Sequence, residues 1–156
     1  MKTPVWTITL VLLALWVPQP LSAGKAFSNQ INWISYDEAE EKGAGDRKYF
    51  LFFYTDQCPA CIRLKKHTFT DKAVIDYINA NYTPVKVNVG KDPKLATRFR
   101  IQAVPDLRFL SSNGKDIARW PGYIESQHLL TLLQYIGTNS YEEISFKDFA
   151  KRQNNP

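Results

Sequence analysis

Tyr49-Phe50-Leu51-Phe52-Phe53-Tyr54-Thr55-Asp56-Gln57-Cys58-Pro59-Ala60-Cys61 decides how the rest of the chain is read. Its first six residues are an unbroken apolar and aromatic run with polar residues on both sides. That length suits a strand buried on both faces, as in a parallel sheet. Thr55-Asp56-Gln57 ends the strand, and Cys58-Pro59-Ala60-Cys61 follows at once. Proline is accepted in a first helical turn, and Ile62 to His67 is helix-compatible. The cysteine pair therefore falls between a strand end and a helix start.

Upstream of this stretch, Ile31 to Ile34 reads as a short strand. Ser35-Tyr36-Asp37-Glu38 is a capping box that opens a short helix, and Gly43-Ala44-Gly45-Asp46 stops it. Downstream, Thr70-Asp71 caps a helix with Val74, Ile75 and Ile78 on one side. Thr83 to Val89 alternates as a strand, with Pro84 at its start. Asp92-Pro93 opens another short helix that ends near Phe99. Leu107 to Leu110 and Asp116 to Trp120 are strands joined through Ser112-Asn113-Gly114, a hairpin signal. Leu129, Leu132, Leu133 and Ile136 form the apolar stripe of a helix that Gly137 stops. Ser145-Phe146-Lys147-Asp148 caps a last short helix. The order is β-α-β-α-β-α-β-β-α, an α/β fold with a central mixed sheet flanked by helices in a single domain.

The first residues read as an export leader. Lys2 is followed by Val5 to Val17, apolar except for Thr7 and Thr9, then by a polar break at Pro18-Gln19-Pro20 and by Leu21-Ser22-Ala23 before Gly24. The apolar run is thirteen residues, short of the ~20 that a membrane span needs. Residues 1–23 are expected to be a signal peptide cleaved after Ala23, with an uncleaved anchor as the competing reading. The 156-residue chain has a net charge of +5 spread along its length, and no clustered Lys/Arg face is evident. Nothing in this composition points to nucleic acid. No stable membrane insertion is expected after leader cleavage. Two cysteines exclude a disulfide-dense scaffold and all-cysteine metal or iron–sulfur sites.

Two residues separate Cys58 from Cys61, so a bridge between them closes a very short loop and does little to hold a fold together. The pair makes better sense as a redox couple. Backbone N–H groups and the positive end of a helix stabilise a thiolate on Cys58, the attacking thiol. Cys61, one turn later and more enclosed, resolves the mixed disulfide. A c-type haem site would need His directly after Cys61, where Ile62 stands. A metal site on both cysteines with His67 or His128 lacks paired ligand spacing, and both histidines read more simply as surface or packed residues. A thiol-based copper-binding or metallochaperone module is the alternative function, since soft thiolates suit Cu(I).

Several motifs in order, namely Phe53 to Cys61, Val85-Lys86-Val87-Asn88-Val89, Ala103-Val104-Pro105-Asp106-Leu107, Asn113-Gly114-Lys115 and Pro121-Gly122-Tyr123, resemble the thioredoxin family over about Ile31 to Gly137. Within it the chain is similar to exported bacterial thioredoxin-like proteins of the SoxW type and to the C-terminal periplasmic domain of the thiol reductase DsbD. His67-Thr68-Phe69-Thr70-Asp71 and the tail Tyr141 to Phe149 carry that closer likeness. The resemblance implies a thioredoxin fold over residues 24–140 and a C-terminal extension over 141–156. It implies Cys58 and Cys61 as catalytic residues and no cofactor beyond them. It makes Pro105 the cis-proline facing the pair, with the Val104 backbone free to bind an extended substrate.

Pro59, Ala60 and Lys86 are supporting residues on the same grounds. The family's buried acid, six positions before the first cysteine, is replaced by Phe52, which leaves Lys86 without that partner. Gln57 replaces a common Trp. Pro59-Ala60 lacks the His of strong oxidants, which favours a reductant. The expected activity is an exported, periplasmic or secreted, thiol–disulfide oxidoreductase. Its expected partners are protein thiols and disulfides, with a membrane thiol reductase as electron donor.

Overall fold

The computed structural model describes residues 28–154, so the expected leader, with its cleavage after Ala23, lies outside the described residues. Four strands form one sheet: β1 (Lys48–Tyr54), β2 (Tyr82–Asn88), β3 (Asp106–Leu110) and β4 (Asp116–Pro121). Their spatial order is β2-β1-β3-β4. β1 and β2 run parallel, while β1–β3 and β3–β4 are antiparallel. The helices are α1 (Tyr36–Lys42), α2 (Pro59–Arg63), α3 (Lys72–Asn81), α4 (Pro93–Arg98), α5 (Ser126–Gly137) and α6 (Phe146–Asn154). Among the described residues, no helix is long and apolar enough to cross a membrane.

β1 is central because its sequence allows it. Phe50, Leu51, Phe52 and Phe53 are all buried, and each such side chain contributes roughly 1.5–3 kcal/mol on leaving water. Phe50 and Phe52 point to one face, with Tyr82, Leu107, Phe109, Cys61, Leu64 and the apolar sides of α3 and α5. Leu51 and Phe53 point to the other, with Val85, Val87, Leu110 and Ala39 of α1. Trp33 closes the first layer, its ring centroid 5.3 Å from Phe69 and 5.8 Å from Phe50.

The caps read from the sequence form. Ser35 Oγ accepts from the Glu38 N–H at 3.2 Å, although the Glu38 carboxylate turns to Lys42 instead of back to the cap. Asp71 accepts from the N–H groups of Ala73 and Val74. Gly114, at φ 81°, supplies the left-handed residue of the β3–β4 hairpin.

Three expectations change. The strand at Ile31 to Ile34 shrinks to one bridge, Ile34 with Val85, because Ser35 starts α1 immediately afterwards. Pro84 sits inside β2 and not at its start, and its carbonyl accepts from Ile34 N–H. The helix after Cys61 passes into a π-helical turn, Leu64–Thr68, closed by Phe69 N–H to Leu64 carbonyl at 2.9 Å. The extra residue lets Leu64, Thr68 and Phe69 all reach the interior. Gly137 ends α5 as a close-approach residue: a Cβ there would lie 2.7 Å from Tyr77 Oη. The left-handed residue that follows is Asn139, at φ 60°.

After α5 a 3-10 turn, Ser140–Glu142, leads into α6, which packs back on α5. Tyr135 donates to the Ile144 carbonyl at 2.6 Å, and its ring lies 5.4 Å from Phe146. Ser145 Oγ accepts from Asp148 N–H at 3.2 Å, the cap read from the sequence.

Candidate active site

Cys58 ends the connection from β1 and is the N-cap of α2. Its sulfur accepts from the Cys61 N–H at 3.1 Å, a donor that favours negative charge on that sulfur. The two cysteines are joined as a disulfide, with Cα atoms 5.2 Å apart. Burial divides their roles: Cys61 is 0% exposed, packed against the apolar layer under β1, while Cys58 is only partly buried. Pro59 occupies the first turn of α2, where its missing N–H costs nothing, and is exposed, with Ala60 half-buried behind it. Ile62 is the exposed large hydrophobic residue among the described ones, at 38%. It puts apolar surface directly beside the pair.

The segment from Phe99 to β3 comes beside the pair at Val104. The Val104–Pro105 peptide bond is cis, and the Val104 carbonyl oxygen lies 3.5 Å from Cys58 Sγ. Pro105 itself is buried, and its carbonyl accepts from Gly122 N–H at 2.7 Å. Gln102, Ala103 and Val104 donate their amides to no other described residue. This is open backbone beside a sulfur, the arrangement that an extended peptide can pair with.

Behind the pair, β1 and β2 place Phe52 opposite Lys86 on the same sheet face. Phe52 is buried and Lys86 is exposed. Phe52 stacks on Tyr54 at 5.1 Å, and the Lys65 ammonium sits 3.8 Å over the Tyr54 ring. Burial holds the Lys65 amine below its ordinary value, opposed by the Asp56 carboxylate and reinforced by the Lys86 charge. The space of the family's acid is thus filled by stacked rings capped by a cation.

Sequence reasoning missed three features. Arg63, at the end of α2, bonds Glu125 at 3.1 Å and lies 3.9 Å over the Tyr123 ring. Tyr123 in turn donates to Glu125 at 3.0 Å, which ties α2 to the loop after β4. Asp106, directly after Pro105, is 0% exposed and holds Arg108 and Arg119. These two join Arg98 and Arg100 around a cleft of about 640 Å³, so a cluster of arginines exists where the sequence showed none. Acids balance most of it: Arg98 pairs with Glu40, and Arg108 also approaches Asp116. The cluster escapes sequence reading because its members are spread over α4, the following segment, β3 and β4.

His67 and His128 do not join the cysteines. Both are exposed, and His128 packs between Trp120 and Phe146.

Comparison with known proteins agrees with this geometry. The chain is 29% identical over 110 residues to the thiol:disulfide interchange protein DsbD of Actinobacillus pleuropneumoniae, covering 65% of this chain and 19% of that protein. It is 27% identical over 103 residues to the disulfide bond reductase DsbH of Chlamydia pneumoniae, covering 57% of this chain and 61% of that protein. It thus spans only part of each relative's length. Among solved structures, a thioredoxin-fold protein from Helicobacter pylori superposes with a TM-score of 0.67 at 22% identity, covering 84% of this chain and 96% of that one. The thioredoxin-like domain model matches residues 35–137, which contain both cysteines, the cis Val104–Pro105 bond and the whole sheet, so the chain belongs to the thioredoxin-like family.

Proposed function

We propose that this protein is an exported reductant of protein disulfides, working through Cys58 and Cys61. The Cys58 thiolate attacks one sulfur of a substrate disulfide. A mixed disulfide forms and the other substrate sulfur leaves as a thiolate, which takes a proton. Cys61, deprotonated, then attacks Cys58 Sγ. The substrate departs as a dithiol, and the protein keeps the Cys58–Cys61 disulfide. A second dithiol donor, a membrane thiol reductase, returns it to the reduced form.

One observation carries this reading. Cys58 Sγ is partly open, capped by the Cys61 N–H and flanked by the Val104 carbonyl, while Cys61 is enclosed behind it. A substrate strand laid along Val104 brings its disulfide to the open sulfur. Ile62, Pro59 and Pro105 give that strand an apolar surround. The reductive direction is supported by the absence of His between the cysteines and by a relative named as a disulfide bond reductase. Export to the periplasm is supported by the apolar run Val5 to Val17 and the Ser22-Ala23 site that follows it. The working domain is residues 24–140, with residues 141–156 as an extension, of which Phe146 and Phe149 pack against Tyr135 of α5.

A mixed-disulfide trap tests the reading. Cys61→Ser should hold protein partners on Cys58 that are released by added thiol, and Cys58→Ser should hold none. Equal recovery from both variants overturns the assignment. Direction is tested by equilibration with thiol redox buffers. A reductant should poise near the ~−270 mV of thioredoxins, and a value close to the ~−120 mV of strong oxidants contradicts it.

A further inference from the structure

One side chain fastens both ends of the segment that presents Val104 and Pro105. Arg108 lies in β3 on the sheet face opposite Cys61. Its Nε donates to Asp106 Oδ1 at 3.0 Å, and its Nη2 donates to the Phe99 carbonyl at 2.7 Å. Phe99 caps the end of α4, and Asp106 begins β3. The guanidinium therefore bonds the two residues that bracket positions 100–105.

The clip is itself locked. Arg108 is only 12% exposed at its side chain and Asp106 is 0% exposed. The second Asp106 oxygen accepts from Arg119 Nε at 2.7 Å. With both oxygens held, the carboxylate has no freedom to follow a drifting loop. A guanidinium offers donors in a rigid planar fork, which an ammonium cannot reproduce. Ile101 N–H to Ala96 carbonyl, at 2.8 Å, secures the incoming turn, and Gly122 N–H to Pro105 carbonyl secures the exit. Between these points the amides of Gln102, Ala103 and Val104 find no described partner. The position of the Val104 carbonyl beside Cys58 is thus set from the ends of the segment.

We propose that Arg108, held by Asp106, is a positioning residue that fixes the Val104–Pro105 segment against Cys58 and thereby sets affinity for the substrate strand. This rests on the reading that an extended substrate pairs with Val104. The chemistry at Cys58 itself does not pass through Arg108, so the two can be separated.

Arg108→Lys in the full chain keeps the charge opposite Asp106 and removes the fork. KM for oxidised insulin should rise about tenfold, since a small misplacement of a substrate-orienting segment costs rate steeply. Iodoacetamide should alkylate reduced Cys58 within about twofold of the wild-type rate, because this probe needs no strand pairing. Hydrogen exchange at the Ile101 and Gly122 amides should quicken about tenfold, with the Phe52 amide in β1 unchanged. Arg119→Lys loosens the other side of the Asp106 lock while leaving the Arg108 fork intact, and should raise KM less than Arg108→Lys does. Asp106→Asn is the second disruption and should reproduce the KM rise.

Wild-type KM in Arg108→Lys, or a loss of Cys58 alkylation equal to the loss of turnover, overturns the proposal. So does unchanged exchange at Ile101 and Gly122, a measurement that needs no substrate. Faster exchange there in Arg108→Lys, together with a wild type that reduces no protein disulfide, would leave the clip standing and remove the functional reading instead.

Discussion

The sheet buries aromatic rings behind the cysteines and a carboxylate behind the segment that faces them. On the first face Phe50, Phe52, Phe109 and Tyr82 surround Cys61 without a buried charge. On the second, Leu51, Phe53 and Leu110 give way along β3 to Asp106 with its two arginines. Both faces belong to the same three strands, and they differ in what stands next to the redox centre. The first encloses the resolving sulfur in apolar surface. The second uses directional bonds to hold backbone in place. A buried carboxylate is expensive unless it is paired, and here it is placed where two guanidiniums converge and not beside a sulfur.

Moving charge onto the apolar face should break this contrast most severely. Phe52→Asp removes a stacked ring and buries a carboxylate, and should cost at least about 4 kcal/mol in denaturant unfolding. Lys86, in register with position 52, should offset part of that cost. Phe52→Asp in the Lys86→Met background should be worse than the sum of the single changes by about 1 kcal/mol. Additive values would show that Lys86 does not reach position 52.

Removing charge from the other face comes next. Asp106→Ala leaves Arg108 without its carboxylate in a largely buried position and should cost about 3 kcal/mol. A loss under 1 kcal/mol, on the same scale, would mean that the two faces are less different than the burial implies.

How much of this was legible follows from the distances in sequence over which each feature is written. β1, the hairpin at Gly114 and the cysteine helix are set by contiguous residues, and they appear where the pattern puts them. The Val104–Pro105 segment was legible only through resemblance, since proline before a strand has an ordinary reading too. Asp106 was illegible. It stands at the start of a strand, where a polar residue excites no comment, and its burial depends on Arg108 and on Arg119, which the β3–β4 register brings alongside. Gly137 was legible as the end of α5, but its close approach to Tyr77 on α3 was not.

Tyr82 sharpens the account of the apolar face at smaller cost. Its hydroxyl is buried and donates to the Leu133 carbonyl at 2.7 Å, and burial pushes its ionisation far above the ordinary tyrosine range. The unfolded chain ionises this group near pH ~10 while the native state does not. Stability from Tyr82 is therefore full below that pH and declines as pH rises beyond it. Tyr82→Phe should lose about 1 kcal/mol at neutral pH and show a shallower alkaline decline. An identical decline in both proteins would assign it elsewhere.

The weakest link should be Arg63 with Glu125 and Tyr123, which joins α2 to the loop after β4 from the outside. Both charged side chains are more than half exposed, so Arg63→Ala should cost below about 1 kcal/mol. That small loss should shrink further in high salt. A larger loss, insensitive to salt, would make this tie part of the core.

The central claim is that the exposed sulfur reacts and the enclosed one resolves. It is tested most directly by timed iodoacetamide labelling of the reduced protein across pH, with each cysteine followed by mass spectrometry. Cys58 should label first, with a midpoint below the ~8.5 of a free thiol, while Cys61 stays largely unlabelled. Faster labelling at Cys61, or a Cys58 midpoint at or above that of a free thiol, would contradict the account.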